Sequence, residues 1–326
     1  MPKHFSKFLN PRALVGDLNK MPPLHTPILD LVYPESVQVN HPFSTIGYED
    51  IGTGIKNIPL VSRGASSYAM PLDGTKLRFI EPQNLTPSHF IGANKLNDMK
   101  SFSEGQQKQY ILNKVDQLRR TVRASKEALA IQSLTGKIEY GVRNAEGVIE
   151  KYTVDFGNTK TTTISKKWDA GGAKASNVIK DVGAMVAEIK SGSNATKFIG
   201  FIDFDTYAAI VDLVNNASQK LPITVSEDAI IIGAVTLYVT AATYYDYVAK
   251  ANKPLIAAKN VMVIGVDDGF KFFNCALDSL EADFAGIPFG VREVPKDDPE
   301  GVDLIGMARP MPIPNVNAIC VSTCLS

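Results

Sequence analysis

The sequence predicts an α+β fold: an extended apolar arm and a long two-stranded loop, then one very long helix with a β-ribbon, then a compact α/β region. Three observations carry this. Eleven of the 19 prolines lie between Pro2 and Pro87 and none between Ser88 and Leu221, so regular structure is broken early and uninterrupted later. A capping signature opens a long run of helical periodicity at Ser103. Strand and helix patterns then alternate from about Ser176 onward.

In order along the chain, the first ninety residues come first. Phe5, Phe8, Leu14, Leu18, Leu24, Ile28, Leu29, Leu31, Val32, Tyr33, Val37 and Phe43 give them an apolar content that a disordered tail lacks. Such a segment needs cover from outside itself, and the simplest cover is another copy of the same protein. From Ser44 to Ile91 the pattern is strand-like pieces, Ile58 to Val61 and Lys76 to Ile80, separated by turns such as Arg63-Gly64 and Leu72-Asp73-Gly74. Two strands with a long tip form no stable sheet alone.

Ser103 and Gln106 match a capping box, and Ile111, Val115, Leu118, Val122 and Leu129 then follow on one stripe. The helix is predicted from Glu104 to about Leu134, roughly 45 Å at 1.5 Å per residue. Arg119, Arg120, Arg123, Lys126 and Glu127 occupy another sector, either a solvated face or a salt-bridge surface between subunits. Lys137 to Val142 and Val148 to Phe156 alternate as a hairpin ribbon. The Thr-rich stretch Thr159 to Ser165, Trp168 and Gly171-Gly172 then read as a domain boundary. Beyond it a helix opens at Ser176, a buried strand covers Lys197 to Ile202, and a second helix runs from Thr206 to about Asn215. Strands follow at Ala229 to Gly233, Thr236 to Ala241 and Val261 to Gly265, with an acidic loop from Pro295 to Asp303 and a last strand from Asn317 to Val321.

Composition bounds the function. The chain has 326 residues, 44% of them hydrophobic, with 34 basic and 34 acidic residues and a formal charge of zero. Neutrality removes the bulk attraction to nucleic acid or an anionic membrane. No run of eighteen apolar residues occurs and the first residues lack a signal-peptide core, so a cytoplasmic site of synthesis and no membrane partner are expected. Cys275, Cys320 and Cys324 form no CxxC pair and read as buried thiols. All four histidines, His4, His25, His41 and His89, precede Phe90, which leaves no His partner for a nucleophile in the compact region.

Asp203 and Asp205, delivered at alternate positions after an apolar strand, resemble the paired aspartates of haloacid-dehalogenase-type phosphotransferases, and Asp267 with Asp268 could complete a magnesium site. The competing and favoured reading is that they cap the helix opening at Thr206. Gly52 and Gly54 lack the third glycine of a phosphate loop and read as a turn. Trp168 beside Lys166 and Lys167 reads as a packing anchor rather than a stacking platform. No catalytic, cofactor-binding or metal-binding residue is assigned, and no cofactor is expected.

This order of parts resembles the major capsid (head) proteins of tailed bacteriophages, the Hong Kong phage type of fold, and among them the lambda type. The strings that carry the resemblance are Val154-Asp155-Phe156-Gly157 with the lone Trp168, Phe204-Asp205 before a helix, Asn260-Val261-Met262-Val263-Ile264-Gly265 with Phe273-Asn274-Cys275 and Asp278 after it, and Ala308-Arg309-Pro310-Met311-Pro312 leading to Val321. It implies an N-arm over residues 1–43, an E-loop over 44–91, a peripheral P-domain of spine helix and β-ribbon over 92–166, an axial α/β A-domain over 167–290, and a return loop with the C-terminal P-domain strand over 291–326. The implied function is that of a structural, non-enzymatic subunit which assembles into pentamers and hexamers of an icosahedral virion in the bacterial host cytoplasm. The implied partners are many copies of itself, a separate scaffold protein, a portal and a trimeric decoration protein. Packaged double-stranded DNA would be enclosed without sequence-specific binding. Lys56 and Lys76 lie where some relatives carry a cross-linking lysine. Two alternatives remain: an encapsulin-type nanocompartment shell, and a magnesium-dependent aspartyl phosphatase using Asp203 and Asp205.

Overall fold

A computed structural model describes residues 21–22, 24–49, 77–217, 221–278 and 286–326. In chain order the elements are α1 (Pro27–Val32), β1 (Gln38–His41), β2 (Ile46–Glu49), β3 (Leu77–Ile80), β4 (Ser88–Gly92), α2 (Ala93–Met99), α3 (Glu104–Ser133), β5 (Lys137–Arg143), β6 (Ile149–Asp155), β7 (Lys160–Thr161), α4 (Ala175–Gly192), β8 (Phe198–Ile202), α5 (Phe204–Asn215), β9 (Ile223–Val225), β10 (Ala229–Ile232), β11 (Val235–Val239), β12 (Thr243–Asp246), β13 (Ala251–Pro254), β14 (Asn260–Gly265), β15 (Lys271–Cys275), β16 (Gly290–Asp297), β17 (Glu300–Met307), β18 (Pro310–Ile313) and β19 (Ile319–Thr323). They divide into two compact units, one of Met1–Ile46, Ile80–Ala130 and Lys271–Pro312, the other of Gly47–Phe79, Ile131–Phe270 and Ile313–Ser326.

The first unit is organised by α3. Ser103 N–H donates to Gln106 Oε1 at 3.0 Å and Gln106 N–H to Ser103 Oγ at 3.4 Å, so the capping box forms as the sequence predicts. Ile111, Val115, Leu118, Val122 and Leu129 are all buried. The first three belong to a core with Met99 of α2, Ile91 of β4, and Val291, Val302 and Leu304 of the β16–β17 hairpin. That hairpin replaces the expected acidic loop from Pro295 to Asp303: eight residue pairs run from Gly290 opposite Met307 to Asp297 opposite Glu300. The reason lies in the sheet order β16-β17-β4. Pro295 sits on the edge strand, where proline is tolerated, Asp297, Asp298 and Glu300 are exposed at the hairpin end, and the buried Asp303 is paired with Lys296 at 2.5 Å. A second sheet of this unit, β1-β15-β18, pairs Gln38–His41 in parallel with Phe272–Cys275.

In the second unit seven strands pair in the order β7-β19-β14-β8-β11-β10-β9. β8 is central, parallel to β11 and antiparallel to β14. Gly200 in its middle is required by close approach: a Cβ there would meet Met262 O at 2.7 Å and Leu237 Cδ2 at 2.4 Å. α4 buries Val178, Val182, Met185 and Ile189 and packs on β14 and β19. The ribbons β5–β6 and β12–β13 and the pair β2–β3 stand as separate two-stranded sheets.

The stretch from Thr159 to Gly172, read from its composition as a domain boundary, lies within the second unit and is tied into it. Lys160 and Thr161 add the strand β7 to the sheet beside β19. Trp168 is buried, its backbone N–H donating to Cys324 O at 2.8 Å and its indole Nε1–H to Asp181 Oδ2 at 2.9 Å. Its role is the packing anchor expected of it. Ile58 to Val61, Gly52, Gly54, Lys56 and Lys76 lie outside the described residues.

Candidate assembly surfaces and the arm-docking site

Four of the apolar residues near the start of the chain are covered within their own unit, where the sequence led to the expectation that another copy supplies the cover. Ile28, Leu29, Val32 and Tyr33 are buried. Pro27 opens α1 where its missing N–H is harmless, and the next two amides have no capping side chain from Thr26. Glu127 of α3 takes both: Ile28 N–H donates to Oε1 at 2.9 Å and Leu29 N–H to Oε2 at 2.8 Å. Arg123, one turn earlier, donates to Leu24 O at 2.8 Å and Thr26 Oγ1 at 3.0 Å, and its other nitrogen pairs with Asp30 at 2.6 Å. Arg119 reaches Met21 O at 3.3 Å. Arg119, Arg123 and Glu127 thus seat Met21 and residues 24–33, while Arg120 of the same charged sector is exposed and pairs with Asp116 of its own helix at 2.7 Å. Phe5, Phe8, Leu14 and Leu18 lie outside the described residues, and Phe43 is exposed.

Lys126 faces the other way. Its ammonium donates to Asn274 Oδ1 at 2.9 Å and Pro288 O at 2.8 Å and lies 5.5 Å from the Phe272 ring centre. Burial, with repulsion from Arg123 second, lowers its pKa to about 7. Burial raises the Glu127 carboxyl above its ordinary value against the opposing pull of the two α1 amides. Arg309 makes a second tie: it donates to Pro82 O at 3.0 Å and Ala276 O at 3.1 Å and pairs with Asp278, which also accepts from Asn84 at 2.9 Å. The sequence named Glu127 and Arg309 but not their partners, which lie far along the chain.

Of the carboxylates weighed for chemistry, Asp203, Asp267 and Asp268 accept from backbone N–H groups, and Asp205 is exposed in the first turn of α5. Asp203 Oδ1 accepts from Thr206 N–H at 2.8 Å as the cap of α5, and Oδ2 accepts from Lys259 N–H at 2.9 Å. Burial pushes its pKa upward, but the bonds from Thr206 and Lys259 outweigh burial and hold the carboxyl below its usual range. Asp203 is thus the cap of α5, the reading favoured from the sequence. Asp267 accepts from Thr196 N–H and Lys197 N–H, and Asp268 from Asn194 N–H, so this pair closes the turn after β14. Among the described residues no group of three His, Cys, Asp or Glu is placed to hold a metal ion. Cys275, Cys320 and Cys324 are buried and unpaired, and burial raises all three thiols, Cys275 and Cys324 to about 11. No described helix is long and apolar enough to cross a membrane.

The fold is that of phage capsid proteins. A protein described as a prophage capsid protein of E. coli CFT073 superposes with a TM-score of 0.64 at 16% identity, over 98% of this chain and 99% of that one. A phage-related protein of Bordetella bronchiseptica RB50 gives 0.54 at 9% identity over 96% of each chain. The capsid of the native GTA particle gives 0.51 at 11% identity over 94% and 93%. No curated protein matches in sequence. The sequence matches the family described as phage major capsid protein E over residues 10–324, nearly its whole length, and the chain therefore belongs to that family, as a structural protein of the phage capsid.

Proposed function

We propose that this chain is the repeating subunit of an icosahedral shell, assembling through pentamers and hexamers of itself around packaged double-stranded DNA. The observation that carries the reading is the spine helix α3 with its docked arm and flanking ribbon, embedded in a fold matched to capsid proteins along the whole chain. In this reading residues 1–43 act as the N-arm, 44–91 as the E-loop, 92–166 and 291–326 as the peripheral domain and 167–290 as the axial domain. A separate scaffold protein, a portal and a trimeric decoration protein are its further partners, and assembly takes place in the host cytoplasm. Its role is structural, without turnover. Zero formal charge supports a wall that encloses DNA without holding it, because a basic wall would bind it with salt-sensitive affinity. The match to a phage capsid family favours a virion over an encapsulin-type compartment. Electron microscopy and sedimentation of the purified chain test the proposal. Closed icosahedral particles, or free pentamers and hexamers, are expected, and a protein that remains a monomer at high concentration overturns it.

A further inference from the structure

The second unit carries two ribbons, each with only two strands and therefore with two open edges. They touch each other at Gly141 of β5: a Cβ there would lie 2.9 Å from both Ile149 Cγ2 and Tyr247 Cβ and 3.8 Å from Val248 Cγ2. Tyr247 stacks edge-on against Tyr245 with ring centres 5.0 Å apart and lies 6.4 Å from Tyr140. Val148, Ile149, Tyr245, Tyr247 and Val248 remain 44% to 54% exposed. Large apolar side chains gathered in this way form a patch on the order of a few hundred Å², a size that marks interaction sites.

The patch is rigid before anything binds it. Asp246 is buried at the turn of the β12–β13 hairpin, accepting from Val248 N–H at 2.8 Å and Ala249 N–H at 3.0 Å while pairing with Lys253 at 2.6 Å. Tyr247 and Val248 are thereby held in place, which lowers the ordering cost of association. Tyrosine at the centre of such a surface is the residue type that anchors interfaces.

We infer that this two-ribbon tip, centred on Tyr247, Val248 and Ile149, is a contact surface for a second copy of this chain. Its charges select that occupant. Arg143, Lys151 and Lys250 stand exposed beside it with Glu146 and Glu150, the two signs interspersed, and Lys151 is itself paired with Glu139 at 2.7 Å. A nucleic acid or an anionic lipid surface would call for one sign, whereas a chain of zero net charge meets charges of both signs without repulsion. The inference rests on the shell reading and names the part of the subunit that reading uses.

The test is thiol labelling of Tyr247→Cys. The native thiols are all buried, so the introduced one reports alone. In particles formed from the purified chain by itself, its reaction with a maleimide dye slows about tenfold or more relative to dissociated subunits. Tyr247→Glu combined with Val248→Glu leaves the Trp168 fluorescence unfolding transition of the second unit in place but stops assembly at small oligomers, while Tyr247→Phe assembles as the wild type does. Particles of wild-type size from the double Glu variant, or an unchanged labelling rate in particles, overturn this surface and leave the shell reading standing. Protection seen only when a different polypeptide is present overturns the choice of occupant. A wild type that never exceeds a monomer removes the shell reading and the surface together.

Discussion

Asp203 and Lys126 are two charged residues whose roles their neighbours decide. Asp203 follows an apolar strand as a nucleophilic aspartate would, yet both its oxygens are satisfied by backbone N–H groups. Asp203→Ala should lower stability by about 1 to 2 kcal/mol through the lost cap, read as a shift of the urea midpoint, with particle formation retained at low temperature. Lys126 is held at about 7 in place of 10.5 because the ammonium is taken out of water and lies near Arg123. Between those two values the unfolded chain binds more protons than the folded one, so stability rises with pH through that interval. The measurement belongs below pH 9, above which the thiols of Cys275 and Cys324, raised to about 11, act in the opposite direction. The wild type is expected to gain about 2 kcal/mol between pH 7 and pH 8.5, at about 1.4 kcal/mol per unit, and Lys126→Met to flatten that slope. The Glu127 shift has the opposite sign but is shared by both proteins, so it cancels in the comparison. Equal slopes in the two proteins would show that the ammonium is not desolvated.

Elements here are stabilised by what they dock against more than by what they contain. α1 is six residues long, far below the length at which a helix persists alone in water. Glu127 supplies its missing N-terminal acceptor from another element. Glu127→Ala should therefore act locally: amide exchange in Ile28–Tyr33 accelerates about tenfold or more, while β8 and β14 exchange as in the wild type. Uniform acceleration through both units would instead make the arm part of the global folding unit. The long helix, the ribbon, α4, β8, α5 and β14 were legible in the sequence because their periodicity or apolar runs are local signals. The seat of residues 24–33 was not, since an arginine and a glutamate on a helix face look alike whether they meet water, a neighbour or their own chain. β16 and β17 were hidden for a related reason: acidic side chains with Pro295 on the edge strand and Pro299 in the turn read as loop, although pairing involves only the backbone. β7, only two residues long, has no period to detect.

At the scale of the molecule, the order of parts was more telling than any one of them. Arm, spine helix, ribbon and α/β region each occur in many proteins, and only their sequence along one chain pointed to a capsid. The weakest inference was that an apolar, proline-broken segment must be covered by a sister molecule. The first unit itself covers Ile28, Leu29, Val32 and Tyr33 and pairs residues 38–41 with 272–275, an arrangement that no local pattern encodes, while Val39 and Phe43 stay exposed.

The strand β19 lies inside its sheet, between β7 and β14, although it is the last strand of the chain. A polypeptide still emerging from the ribosome has both neighbours of that strand long before the strand itself, and until residue 323 is free of the exit tunnel their facing edges stay unpaired. A polypeptide cut before Ile319 should therefore carry two bare edges where the intact one has a continuous seven-stranded sheet.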